Sequence, residues 1–326
     1  MGIAPFRGHL RRRCSTQDRL RALSQRVVEA SKPSTSLEPL ALPVLAAILG
    51  QTIISAGTHL AARRATEDVD AISLVTMRIL LSAVGYVAVL SLVKGPLLPP
   101  RSTWRWWLGF GFLAGPINQG FFVYGLSRSK ASHAALLYAL TPVGVYLVSV
   151  LRGREKPTAS RLAGIAVAFA GVVVLLLGRG LGEALGPLVG DLFILGAVVA
   201  WVFWTSESQA RAREFGGLRT AGWSLMAGAM WCVPLAPFVV KLDAFLAAPP
   251  IAWGCLAYLV LLTSMGSYAL WNFALSRTEA SRVAVFANLQ PVATAVAAWA
   301  LLDEPIGWEL VVGGVLVLAG VRLAQR

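Results

Sequence analysis

Cysteine is scarce in this chain. Cys14, Cys232 and Cys255 are widely spaced and odd in number, which excludes a disulfide framework and a thiolate metal site. Histidine is equally thin: His59 and His133 stand alone near the ends of apolar segments, and no His/Asp/Glu cluster has metal-ligand spacing. The glycine-rich run that starts at Gly178 lacks the Gly-Lys-Ser/Thr ending of a phosphate loop and follows no strand, so it reads as a linker. No serine or cysteine has a recognisable base nearby in sequence. An enzyme, a metal and a nucleotide cofactor are therefore not expected, and energy from ATP has no motif to enter by. No signal-peptide core precedes the first apolar segment.

Charge is depleted too, and this absence carries the class. Charged residues make up 14% of the chain against about 25% in soluble domains. Hydrophobic residues reach 56%, and mean hydropathy is +0.67. The apolar residues come in runs near the ~20 residues that cross ~30 Å of hydrocarbon as helix. Ten such segments fall near 40–61, 72–93, 105–126, 131–151, 161–178, 191–210, 219–240, 252–275, 280–301 and 306–323. The third and fourth are split by Arg128-Ser129-Lys130, and the eighth and ninth by Arg277-Thr278-Glu279. Without those breaks each pair would overshoot a bilayer twofold.

A net charge of +13 would suggest a polyanion partner in a soluble protein. Here the placement of basic residues explains it without nucleic acid. With the N-terminus in the cytoplasm, twenty-two lysines and arginines fall on the cytoplasmic side and six on the other, with Arg78 left inside the second span. Such a bias sets orientation, so both termini are expected in the cytoplasm of a plasma membrane, the inner membrane if the cell is bacterial. Residues 1–38 are polar and basic, with Arg11-Arg12-Arg13 and apolar Leu20, Leu23 and Val27 on one helical face. A flexible cytoplasmic tail, a helix lying on anionic lipid and an Arg-rich transit peptide all fit this stretch.

The chain also repeats itself. Residues 126–172 are echoed by 275–321 at a constant offset of 149, without a gap. The offset carries Pro142 to Pro291, Glu155 to Glu304, Gly164 to Gly313 and Gly171 to Gly320. Apolar bias matches Leu with Ala; it does not match Pro with Pro and Glu with Glu in one register. The expected domains are therefore the tail 1–38, a first repeat at 39–179 and a second at 180–326. Five spans per repeat is an odd number, so the halves must face opposite ways. The expected fold is an all-α membrane protein of ten transmembrane helices as two inverted five-helix repeats, a plan that puts a site near the midplane.

These residues resemble the EamA-type transporters of the drug/metabolite transporter superfamily. The resemblance rests on Arg78 in the second span, Thr141-Pro142, Glu155, Gly164 and Ala170-Gly171 in the first half, and Gln290-Pro291, Glu304, Gly313 and Ala319-Gly320 in the second. The stretch GDLFILGAVVAWVFW that opens the second half is similar to the family's sixth helix, and the likeness covers about residues 40–324. It implies a secondary transporter that moves a small metabolite by alternating access, with export as the expected direction. An amino acid or a related amphipathic solute is the expected cargo, with the lipid bilayer as surroundings and a homodimer left open. A lipid scramblase or a non-transporting membrane scaffold is the alternative.

The candidate substrate-binding residues are Trp201, Trp204, Trp271, Asn272, Asn288, Gln290, Asn118 and Gln119. Trp201 and Trp204 are three apart and share a helix face, and amides in hydrocarbon must find partners or water. The alternative is that these rings and amides serve helix packing. Six other tryptophans (Trp104, Trp106, Trp107, Trp223, Trp253 and Trp308) sit near span ends as an aromatic belt would, whereas Trp231 falls deeper. Arg78, the one charge well inside a span, is either a gate or anion contact or a tether. Pro142 and Pro291, placed mid-helix, are hinges or static kinks. Glu155 and Glu304 fall on opposite membrane faces and cannot share one bond as acid and base; each is expected to fix the short connection into its next helix. Glu207 is a weak proton-coupling candidate, set against a surface carboxylate.

Overall fold

The computed structural model describes residues 41–153, 157–177, 185–278, 283 and 290–324. The basic tail, Glu155, most of the glycine-rich linker and Asn288 lie outside the described residues. The rest is helical, the one form that satisfies every backbone group within a single lipid-facing segment. In the first half lie α1 (Leu42–Asp68), α2 (Ala71–Leu92), α3 (Trp104–Phe112), α4 (Asn118–Leu126), α5 (Ala131–Tyr138), α6 (Thr141–Leu151) and α7 (Ala159–Leu177). The second half contains α8 (Leu185–Phe215), α9 (Gly217–Cys232), α10 (Pro250–Ala257), α11 (Tyr268–Arg277), α12 (Gln290–Leu302) and α13 (Trp308–Ala324). Among the described residues, five helical stretches are long and apolar enough to cross a bilayer: Leu42–Asp68, Ala71–Leu92, Ala131–Leu151, Pro187–Phe215 and Pro250–Arg277. This is a multi-pass membrane protein.

Local chemistry places the ends. α1 runs past its expected limit because Arg64 pairs with Asp68 at 2.5 Å and with Glu67 at 3.1 Å along its last turns. Asp70 then caps α2, its carboxylate accepting from the Ser73 N–H at 3.1 Å. Gly216, at φ +85°, turns the chain from α8 into α9 in a conformation open to glycine. Pro142 does not sit mid-helix as expected. The fourth segment breaks at Ala139–Leu140, and Pro142 lies in the first turn of α6, where its missing N–H would have had no intrahelical partner. For Pro291 the residues that immediately precede Gln290 lie outside the described residues.

The third and eighth segments share an irregularity. Leu113–Ile117, which contains Pro116, joins α3 to α4 as a π-helical turn. Tyr258–Ser267 joins α10 to α11 in the same way over ten residues. Wider turns leave carbonyls misaligned, and here a side chain serves them: the Tyr86 hydroxyl donates to Met265 O at 2.9 Å and Ser264 O at 3.3 Å.

Glycine sets the closest helix contact. A Cβ on Gly164 would stand 2.7 Å from Gly320 O, and one on Gly171 would stand 2.7 Å from Gly313 O. Hence α7 and α13 run antiparallel with their backbones touching. Under the 149 offset the pair Gly164–Gly320 becomes Gly313–Gly171, so this contact maps onto itself. Gly109, by contrast, faces open space.

The tryptophans divide differently from expectation. Trp107 and Trp223 are buried and pack edge-to-face at 5.4 Å, with Phe110 and Phe215 around them. Trp231 is 45% exposed and donates to Leu108 O at 3.0 Å, so it lies on the outer surface. A position along a span says how deep a ring sits, and only packing says which way it points.

Candidate functional site

Polar side chains from both halves converge on one cavity of about 60 Å³. At roughly 10–15 Å³ per water, the helices are drawn in to leave room for about four to six. From α1 come Gln51, Ser55, Thr58 and His59, at i, i+4, i+7 and i+8 and so on one helix face. Arg78 of α2 and Asn118, Gln119 and Phe122 of α4 line it, with Tyr138 and Thr141 at the α5–α6 break. The second half supplies Trp201 of α8, then Thr263, Ser267, Tyr268 and Trp271 around the π-to-α junction, and Gln290 at the start of α12.

Hydrogen bonds tie these elements across the cavity. Asn118 donates to Ala197 O at 2.9 Å and to the Tyr138 hydroxyl at 3.1 Å, and its Oδ1 accepts from the Tyr268 hydroxyl at 3.3 Å. Thr58 and Thr263 hydroxyls meet at 2.8 Å, and Ser55 and Ser267 at 3.3 Å. Arg78 is 2% exposed, and its Nε donates to Ser264 Oγ at 2.9 Å. His59 holds Ser55 O with Nδ1 at 2.8 Å, while its ring meets Phe122 and Tyr138 edge-on. Both π-helical turns end at this cavity, with Asn118 following one and Tyr268 the other. Such turns are frequent at functional sites.

Of the expected binding residues, Asn118, Gln119, Trp201, Trp271 and Gln290 line the cavity. Two expected there stand outside its lining. Trp204 is fully buried one layer back, stacked on Trp201 at 4.7 Å and facing Phe110 at 6.0 Å. Residues three apart share a face but not a depth, because the nearer ring screens the farther one. Asn272 turns its amide onto its own helix, donating to Tyr268 O at 2.9 Å. Glu207 does not line the cavity either; it forms an ion pair with Arg152, both about one-third exposed.

Glu304 corrects its expected role. Instead of fixing its own connection, it reaches α5 of the other half and accepts from Ala131 N at 2.9 Å, Ser132 N at 3.3 Å and Ser132 Oγ at 2.9 Å. It caps a helix start that its own helix never touches in sequence. The α1 face was missed, although the signal was present as polar residues at one helical spacing inside an apolar segment. His59 has no such excuse, since a lone histidine carries no pattern.

An apolar helical bundle that closes around a polar cavity is the arrangement of a multi-pass membrane transporter. Among the described residues, no group of three or more His, Cys, Asp or Glu could hold a metal ion. The sequence model described as "EamA-like transporter family" matches residues 42–177 and 188–325. The chain belongs to the EamA-like transporter family. Among its relatives, "Uncharacterized transporter YyaM" of Bacillus subtilis is 29% identical over 66% of this chain and 69% of its own length. An "Uncharacterized transporter" of Archaeoglobus fulgidus is 25% identical over 83% of this chain and 93% of its own. A "Probable terminal-alkyne amino-acid exporter" of Streptantibioticus cattleyicolor is 32% identical over 62% and 67%. A solved crystal structure aligns with a TM-score of 0.57 at 21% identity, covering 87% of this chain and 95% of that one, and shares its fold.

Proposed function

We propose that the protein is a secondary transporter that exports a small amphipathic solute, an amino acid or a close relative, across the plasma membrane. Two five-helix halves of opposite orientation rock about the cavity, giving ten spans with both termini in the cytoplasm. The observation that carries this reading is the cavity itself: lined by buried polar side chains from both halves, with a fixed cation and aromatic walls. The self-mapping contact of α7 and α13 supports the inverted repeat, since equivalent helices run antiparallel only if the halves are inverted. The amino-acid exporter among the relatives supports the cargo class. Energy would come from an ion gradient or from that of the solute.

The cavity is far smaller than the ~300–1,000 Å³ usual for ligand pockets, so a bound solute requires the halves to part. Proteoliposomes holding purified protein should show counterflow of at least one solute from a panel of amino acids, organic acids, amines and sugars. Lipid flipping measured in the same vesicles tests the scramblase alternative. Flipping at protein-dependent rates with no solute counterflow would replace the transporter reading.

A further inference from the structure

We infer that the cavity reads both poles of an α-amino acid, Arg78 taking the carboxylate and His59 the ammonium. The inference deepens the proposed transport function and rests on it. Two unsatisfied groups carry it. Arg78 uses Nε on the neutral Ser264 hydroxyl, while Nη1 has no hydrogen-bond partner among the described residues. A guanidinium at depth is normally paired with a carboxylate or with backbone carbonyls, and no bond from Arg78 to either is present among the described residues. None of the sixteen Asp and Glu residues of the chain falls in the middle of a span. The three on α8 are already engaged, Asp191 with Ser129 and His133, Glu207 with Arg152, and Glu214 with Arg211. The counter-charge is left for the ligand to bring, and the planar fork of arginine matches a carboxylate.

His59 supplies the second pole. Its Nδ1 lies 2.8 Å from Ser55 O, and a carbonyl only accepts, so the proton of the neutral ring is on Nδ1. Nε2 then holds a lone pair; it is buried, and no donor meets it among the described residues. Edge contacts from Phe122 at 5.4 Å and Tyr138 at 5.8 Å hold the ring in place. One donor cation, with unpartnered acceptors at His59 Nε2, Gln51 Oε1 and Gln119 Oε1 in the same small cavity, is complementary to a zwitterion, and of these acceptors only the imidazole nitrogen is held in place by flanking rings. A neutral solute leaves the guanidinium unpaired, and an amine adds a second cation beside it. A plain monocarboxylate satisfies Arg78 and leaves Nε2 empty. The Trp201 and Trp271 rings on the opposite half provide the apolar wall for a side chain once the halves part.

The test is counterflow of the proteinogenic amino acids in proteoliposomes of the full-length protein. For every amino acid that is moved, its des-amino acid and its decarboxylated amine are run as competitors. Each truncated competitor should be weaker than the parent by roughly 10- to 100-fold, the worth of a hydrogen bond to a charged group. Arg78→Gln should abolish counterflow, and Arg78→Lys should retain a weakened part of it. His59→Phe keeps the ring shape without the acceptor and should erase the preference for amino acid over des-amino acid, which a packing role would not do. An amine that competes as well as its parent amino acid, or a His59→Phe variant that keeps the wild-type preference, would overturn the inference. Counterflow confined to solutes that are not amino acids overturns it and leaves the transporter standing. Counterflow of nothing at all sinks both.

Discussion

Glu304 offers the sharpest handle on how the two halves are joined. Its carboxylate is 9% exposed and takes three hydrogen bonds from the start of α5, 172 and 173 residues away. Glu304→Gln keeps the shape and removes the charge. One of the two oxygens becomes an NH2 group, which then faces either the Ala131 N–H or the Ser132 N–H. At least one donor–donor contact results, and the attraction of the α5 N-terminus for negative charge is lost with it. A hydrogen bond to a charged group is worth ~1.5–3 kcal/mol, and a charge at a helix end contributes ~0.3–2 kcal/mol. The glutamine variant should thus lose about 2–5 kcal/mol. At the ~2–4 °C per kcal/mol of somewhat smaller chains, which sets an upper limit here, purified protein in detergent should melt lower by up to roughly 20 °C by tryptophan fluorescence. Glu304→Ala, which leaves two buried N–H groups bare, should melt lower still. A glutamine variant that melts within about a degree of wild type would refute the charge-cap account.

Other outcomes follow from the same geometry. If the 149 offset is a structural repeat, Glu155→Gln should lower the melting temperature by an amount similar to Glu304→Gln. Gly171→Val should abolish recovery of folded protein, because a Cβ there stands 2.7 Å from the Gly313 carbonyl and the Val317 backbone, whereas Gly109→Ala meets nothing within 4 Å and should be recovered like wild type. With Cys232 and Cys255 replaced by Ala, Cys14 should resist an impermeant thiol reagent on intact cells and react after permeabilisation; labelling from outside would reverse the assigned orientation. Trp201→Ala should weaken counterflow more than Trp204→Ala, since only Trp201 lines the cavity; equal losses would mean that the two rings act as one stacked unit.

What the amino-acid sequence determined by itself was whatever depends on order and spacing. Apolar runs of bilayer length, the breaks between them and the 149-residue repeat are one-dimensional properties, and the helices lie where those runs are because lipid leaves the backbone few alternatives. The same holds for Arg78, Asn118, Gln119 and Gln290, whose polarity at depth requires an inward direction whatever the partners turn out to be. Only the tertiary structure decided which residues meet. Arg78 finds Ser264 at 186 residues' separation, and Glu304 finds Ser132 at 172, and no local spacing encodes either pair. Depth within a layer was equally illegible: Trp201 lines the cavity and Trp204 lies behind it, a difference made by the neighbouring Phe110 and Tyr268 rings. Asn272 could satisfy its amide on its own backbone or across the cavity, and the choice is one of rotamer and space rather than of sequence. His59 became a candidate only when folding set its free nitrogen in the same cavity as an unpaired guanidinium, because a single side chain acquires a chemical role from the groups it faces.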